Sequence, residues 1–282
     1  MRLIFLISSP NPSINHMLLG SQIRLYLFES NLLPWLLLGA MLLMTEVGFR
    51  TGKRLTLKYQ LEKANASDTF MAAIFGLLAL LLAITFSGAF DRFDKRRELI
   101  AKEVSTIGTA YQSIDLLTPK SQPVVRGLFK QYLDSRIDVY QGGMDKGDVE
   151  KKYQVHHEIG NRLWKASAIA VKETSYLEKL VAAQVLPEIS DMFDASDNQR
   201  LAMKFHPPPI IWQALIGLCL IGSLVAGYKL GVEKKRDWFL TIVFILLMTG
   251  TITIILNLEY PRMGFVRLDD FDLELSTLRK SF

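Results

Sequence analysis

The chain has 282 residues, half of them hydrophobic, with mean hydropathy +0.21 and net charge +5. Such totals suit an ordinary globular protein, but the distribution excludes one. Thr69–Phe90 and Pro207–Tyr228 each run 22 residues without a charge, and Trp238–Leu258 runs 21. About 18 or more such residues read as a membrane-crossing helix. The same long runs exclude an outer-membrane barrel, whose signature is short alternating strands.

Residues 1–30 form an N-terminal segment that reads as an over-extended start. MRLIFLISS is faintly like a secretory signal, but its apolar run is short, no small-residue cleavage site follows, and Met17 serves equally well as the start. Residues 31–90 read as a first transmembrane hairpin. Its first member, Leu32–Phe49, tolerates Pro34 in its first turn, where the missing N–H costs little. Glu46 near its end either reaches headgroups and water or faces a polar cavity within the bundle. The second member carries a small-residue stripe, Ala72, Gly76, Ala79, Ala83 and Ser87. That stripe suits close helix packing in lipid, and an apolar pore constriction would look much the same.

Residues 91–206 read as a helical soluble insert of 116 residues with 18 basic and 17 acidic side chains. No proline interrupts Asp91–Thr118, so the second span is expected to continue as helix, with Phe93, Ile100, Val104, Ile107, Tyr111 and Ile114 as its apolar stripe. Pro123 opens another helix carrying Val125, Phe129, Leu133 and Ile137 at i, i+4 steps. Gln141–Asp148 reads as a loop by its glycines. Val149–Leu186 is expected as one long helix with Val155, Ile159, Leu163, Ala166 and Ala170 on one face, interrupted by Pro187. Residues 207–258 read as a second transmembrane hairpin entered through Pro207–Pro209, and residues 259–282 as a tail. The fold class is therefore an all-α membrane protein: four transmembrane helices with a helical soluble insert between the second and third.

Four spans put both termini and the insert on one side of the membrane. Lys and Arg near the span ends number nine in the two short loops and ten on the other side, so positive charge does not set the orientation.

Sites with chemistry are few. His156 and His157 are adjacent, point about 100° apart on a helix and cannot chelate one ion together; a surface position is expected for both. His206 reads as interfacial, and Cys219, the single cysteine, as a small buried hydrophobe. Asp269, Asp270, Asp272 and Glu274 offer oxygens but lack the EF-hand spacing, so a solvated acidic tail is expected. No nucleophile elbow, phosphate loop or zinc-protease motif is present, and neither an enzyme, a cofactor, a metal nor a nucleic-acid partner is expected. The densest chemistry is the junction after Phe90, with Asp91, Arg92, Asp94, Lys95, Arg96, Arg97 and Glu98. It serves either as a lipid anchor with i, i+3 and i+4 pairs or as a vestibule that concentrates anions at a pore mouth.

Three stretches, GLLALLLAITFSGAFDRFDKRRELIAKEVSTIGTAY, FDASDNQRLAMKFHPPPIIW and LNLEYPRMGFVRL, resemble the bacterial bestrophin-like domain family, which is remotely similar to bestrophin anion channels. The resemblance implies a homo-oligomer, a pentamer in bestrophins, in the bacterial inner membrane, with cytosolic insert and termini and with inorganic anions as the conducted species. It also implies that the second span lines an apolar neck, at Leu77, Leu81 and Thr85 in one register or Gly76, Leu80 and Ile84 in the other. Asp91, Arg92, Arg96, Arg97 and Glu103 would then be vestibule or family-motif residues. Phe93-Asp94 stands where bestrophins carry an aromatic pair, and Thr85 is smaller than the residue expected at the lower neck. The alternative function is a non-conducting scaffold or sensor presenting the insert to a partner.

Overall fold

The computed structural model describes residues 32–59, 65–141, 146–176, 178–260 and 269–282. Residues 1–31, with the signal-like stretch and Met17, lie outside the described residues, as does most of the glycine loop after Gln141. The described residues are helical, without a strand. In chain order the helices are α1 Leu32–Tyr59, α2 Asn65–Ser113, a 3-10 turn Ile114–Leu116, α3 Gln122–Gln141, α4 Lys146–Glu173, α5 Lys179–Ala182, α6 Val185–Lys204, α7 Pro209–Val232, α8 Trp238–Glu259 and α9 Asp269–Lys280. Four of these stretches are long and apolar enough to cross a membrane. The chain divides into two compact units, one of Met1–Phe90 with Pro207–Phe265, the other of Asp91–His206 with Val266–Phe282.

In the first unit α1 and α7 pack backbone against backbone. A Cβ added at Gly48 would lie 2.8 Å from Tyr228 N, and one at Gly227 would lie 2.8 Å from the Thr45 carbonyl carbon. Gly52 and Gly231 repeat the arrangement one turn on, against Tyr228 and against Phe49 and Lys53. Both helices thus carry glycines four apart at the contact, which suits lipid, where close van der Waals packing rather than hydrophobic burial drives association. The stripe expected to pack in this way, Ala72, Gly76, Ala79, Ala83 and Ser87, is instead exposed. On the membrane part of α2, Leu78, Leu82, Thr85 and Ala89 turn inward at helical spacing. Phe75 meets Phe244 edge-on, with centroids 5.4 Å apart.

α7 ends in a six-residue C-cap. Lys234 N–H donates to Gly231 O and Lys235 N–H to Leu230 O, both at 3.2 Å, with Lys234 left-handed at φ 57°. Asp237 then caps α8 by accepting from Leu240 N–H at 3.0 Å. These two caps make the tight turn that places Arg236.

The second unit has its own core, built from Ile107, Ile114, Phe129, Leu133, Leu163 and Ile189 among others. Three expectations need correction here. The long helix ends at Glu173, thirteen residues early, and Pro187 sits in the first turn of α6 instead of interrupting a helix. In that turn its missing N–H costs no intrahelical bond. The buried face of α4 runs through His156, Gly160, Leu163, Ser167 and Ala170, leaving Val155 exposed. His156 is therefore buried, and only His157 lies at the surface. Finally, the acidic stretch of the tail is the start of helix α9, which packs on the insert. Leu275 joins the core, Phe282 stacks on Tyr111 at 3.8 Å, and Arg279 donates to both Asp134 carboxylate oxygens at 2.6 and 3.0 Å.

Candidate functional site

The two neck registers fall on different faces of α2. Leu77 is exposed and Leu81 half-buried, but Thr85 is only 6% exposed, its hydroxyl donating to the Leu81 carbonyl. Gly76, Leu80 and Ile84 are all exposed, Ile84 at 62%. Gly76, Leu80 and Ile84 are thus all accessible among the described residues, whereas in the other register Thr85 is buried.

The charged residues that follow separate in the same way. Asp91 and Arg97 are exposed and Arg92 is half-buried; Arg97 lies 3.7 Å from Asp94, a surface pair of small energetic weight. Arg96 is buried. It donates to Phe205 O at 3.0 Å and to Ala202 O at 3.3 Å, the carbonyls that α6 leaves unpaired at its C-terminus. Arg96 therefore holds the end of α6 at the approach to Pro207.

Glu103 goes further inward. The buried face of α2 beyond Phe90 runs through Arg96, Ile100, Glu103, Ile107 and Ala110 and continues to Ile114 of the 3-10 turn, an alternating four-three repeat in which two charges take core positions. Glu103, 1% exposed, meets Arg136 of α3, 0% exposed. Arg136 donates from Nε to Oε1 at 2.5 Å and from Nη2 to Oε2 at 3.0 Å, a bidentate pair. Its remaining donors reach Gln199 Oε1 at 3.0 Å, Ser196 O at 3.4 Å and Tyr153 Oη at 3.4 Å. One ion pair thus ties α2, α3, α4 and α6 together. Arg136 and Gln199 escaped the sequence reading, although Arg136 stands three residues after Leu133 and seven after Phe129, on the same stripe.

Beside the pair lies a cleft of about 170 Å³, lined by Tyr132, Tyr153, His156, Asn161 and Arg200 among others. His156 Nδ1 is 2.8 Å from the Ser135 hydroxyl, which lies 2.7 Å from Tyr132 O. Burial, and then the Arg136 charge, lower the His156 pKa to about 3, so the imidazole is neutral at pH 7. Burial also raises the Tyr132 phenol well above its usual range. Among the described residues no group of three His, Cys, Asp or Glu side chains is placed to hold a metal ion. Cys219 is buried within α7, and His206 is exposed. Glu46 is paired, accepting from Arg50 Nε at 2.7 Å and Arg236 Nη2 at 3.0 Å.

Residues 39–270 match the family model for the bestrophin-like domain. Three crystal structures of a bacterial bestrophin homologue from Klebsiella pneumoniae, each a point mutant, share the fold at 13% identity. One superposes with a TM-score of 0.61 over 88% of this chain and 98% of the other. The other two give 0.57 over 86% of this chain and 99% or 98% of theirs. No curated protein matches. With most of its length, residues 39–270, matched by the family model, the chain belongs to the bestrophin-like domain family.

Proposed function

We propose that the chain is one subunit of an oligomeric anion channel, with the exposed face of α2 lining the pathway. The observation that carries this reading is the face itself. Gly76, Leu80 and Ile84, flanked by Ala79, Ala83 and Ser87, are left exposed by the described residues. Small residues there would let copies of α2 approach one another. A ring of Leu80 and Ile84 would form an apolar constriction of the kind that gates by dewetting. Asp91, Arg92 and Arg97 would stand at its charged end, while Arg96 and Glu103 act as structural residues. Family membership and the likeness to a bacterial bestrophin homologue support an oligomer in a bilayer. The same likeness supports reading the membrane as a bacterial inner membrane, with insert and termini in the cytosol; a reporter fused after Phe282 tests that side.

Native mass measurement of the purified protein should return a closed oligomer, a pentamer by analogy with bestrophins. A monomer would end the proposal, because four spans cannot enclose an axial pore of this kind. Planar-bilayer recording should then show anion-selective current.

A second reading, a non-conducting scaffold or sensor, rests on a different observation. Tyr176, in the α4–α5 connection, is 93% exposed and Leu180, in α5, 81%. Isolated exposed apolar side chains are ordinary, but a neighbouring pair on a soluble unit suits a partner. Crosslinking in cells from position 176 that returned only self-contacts would discard it.

A further inference from the structure

At one end of the membrane unit a cavity of about 650 Å³ opens between α1, α7 and α8. Its body is apolar, with Leu42, Leu43, Val47 and Leu230 in the wall, and its lip carries Arg50 and Arg236. Leu43 and Val47 are exposed, so the apolar body is open at the side of membrane-spanning helices. Such a surface is bathed by acyl chains.

The lip is organised for an anion. The Arg236 guanidinium lies 4.1 Å above the Phe49 ring and 5.3 Å from the Trp238 ring, and both contacts favour the cation and restrict its rotamers. Arg236 and Arg50 both donate to the same oxygen, Glu46 Oε1. A guanidinium has five N–H donors, so one shared oxygen leaves each arginine with donors to spare. Two positive charges against one carboxylate leave a surplus of one. Asp237, also on the lip, is engaged in capping α8, where the positive end of the helix offsets it. In sequence, Lys53 and Arg54 closely follow Arg50, and Lys234 and Lys235, with Glu233 before them, precede Arg236.

We propose that this cavity binds an anionic glycerophospholipid. An acyl chain lies along Val47 and Leu43, and the phosphodiester is held by Arg236 and Arg50. The single negative charge of a phosphodiester matches the surplus. Trp238, half-exposed beside Arg236, occupies the headgroup level at which indole rings are enriched. The site is independent of whether the protein conducts ions.

The test uses the full chain purified in detergent. It is incubated with phosphatidylglycerol, with phosphatidylcholine of the same acyl chains or with inorganic phosphate, and bound mass is read by native mass measurement. Phosphatidylglycerol should be retained in preference to phosphatidylcholine, and inorganic phosphate should leave no adduct. Each arginine near a membrane surface is worth about fivefold. Arg236→Gln should therefore cut the preference about fivefold, and Arg50→Gln/Arg236→Gln about 25-fold. Equal retention of the two lipids by the unaltered protein would overturn the proposal whatever the variants do. So would a double variant that folds and keeps the preference, phosphate binding as well as the lipid, or a second copy crosslinking through position 47 in place of lipid.

Discussion

Glu103→Gln tests the ion pair at the centre of the soluble unit. Arg136 stays charged, fully buried and bound in part to Gln199, but loses the carboxylate that took two of its donors. Removing one partner of a buried pair costs about 3–5 kcal/mol, because the other charge is left uncompensated. Arg136→Met should cost a similar amount by stranding Glu103. The double variant Glu103→Leu/Arg136→Met removes both charges and restores apolar surface to a stripe already bearing Ile100 and Ile107. Replacing both partners is often near neutral. Here Gln199, Ser196 and Tyr153 also lose a donor, so a net loss of up to about 2 kcal/mol is expected. The assay is thermal unfolding of the full chain in detergent, followed by tryptophan fluorescence, with Trp164 of α4 reporting the soluble unit. Both single variants should melt well below the unaltered protein and the double variant between them and it. Losses in the double variant that equal the sum of the singles would refute the pair as a coupled unit. So would single variants costing less than about 1 kcal/mol.

His156 should make the soluble unit acid-sensitive. Its folded pKa, about 3, lies below the ordinary 6.5, so the unfolded chain takes up the proton first as pH falls. Stability from this residue is complete above pH 6.5 and declines toward pH 3, by up to about 1.4 kcal/mol per unit. His156→Gln should flatten the melting temperature against pH over that window, and an unchanged profile would place the acid sensitivity elsewhere. Lys234→Gly should raise stability by about 1 kcal/mol, since glycine adopts the left-handed C-cap without strain; an unchanged or lower melting temperature counts against the cap. Gly227→Leu should abolish the folded membrane unit, because its side chain would be driven into the α1 backbone at Thr45. Recovery of a normally melting protein would show that α1 and α7 can part.

The membrane spans and the helical insert were legible because long charge-free runs and a 3.6-residue period have few other meanings. What the sequence hid was which of several equivalent stripes faces inward. On α2 the small residues Gly76, Ala79 and Ala83 invited a packing face, yet the close contact formed at Gly48, Gly52, Gly227 and Gly231, a choice that depends on which helices become neighbours. Arg96 and Glu103 read as vestibule or family-motif residues and not as core positions, because burying a charge is unfavourable in isolation. Their partners are the α6 carbonyls, about a hundred residues away, and Arg136, and no local pattern announces either. His156 is the same case: position alone separates it from its exposed neighbour His157. The cavity beside Arg236 depends on α1, α7 and α8 meeting at the C-cap of α7, where a lysine stands in place of the usual glycine signal.

The most direct measurement of the channel reading is planar-bilayer recording from purified oligomer carrying Ile84→Cys, set beside Thr85→Cys, before and after a charged thiol reagent. Anion-selective current that the reagent alters at position 84 and leaves unchanged at position 85 is the result expected. Current altered only at position 85, or no anion-selective current from a verified oligomer across a range of pH and calcium, would contradict it.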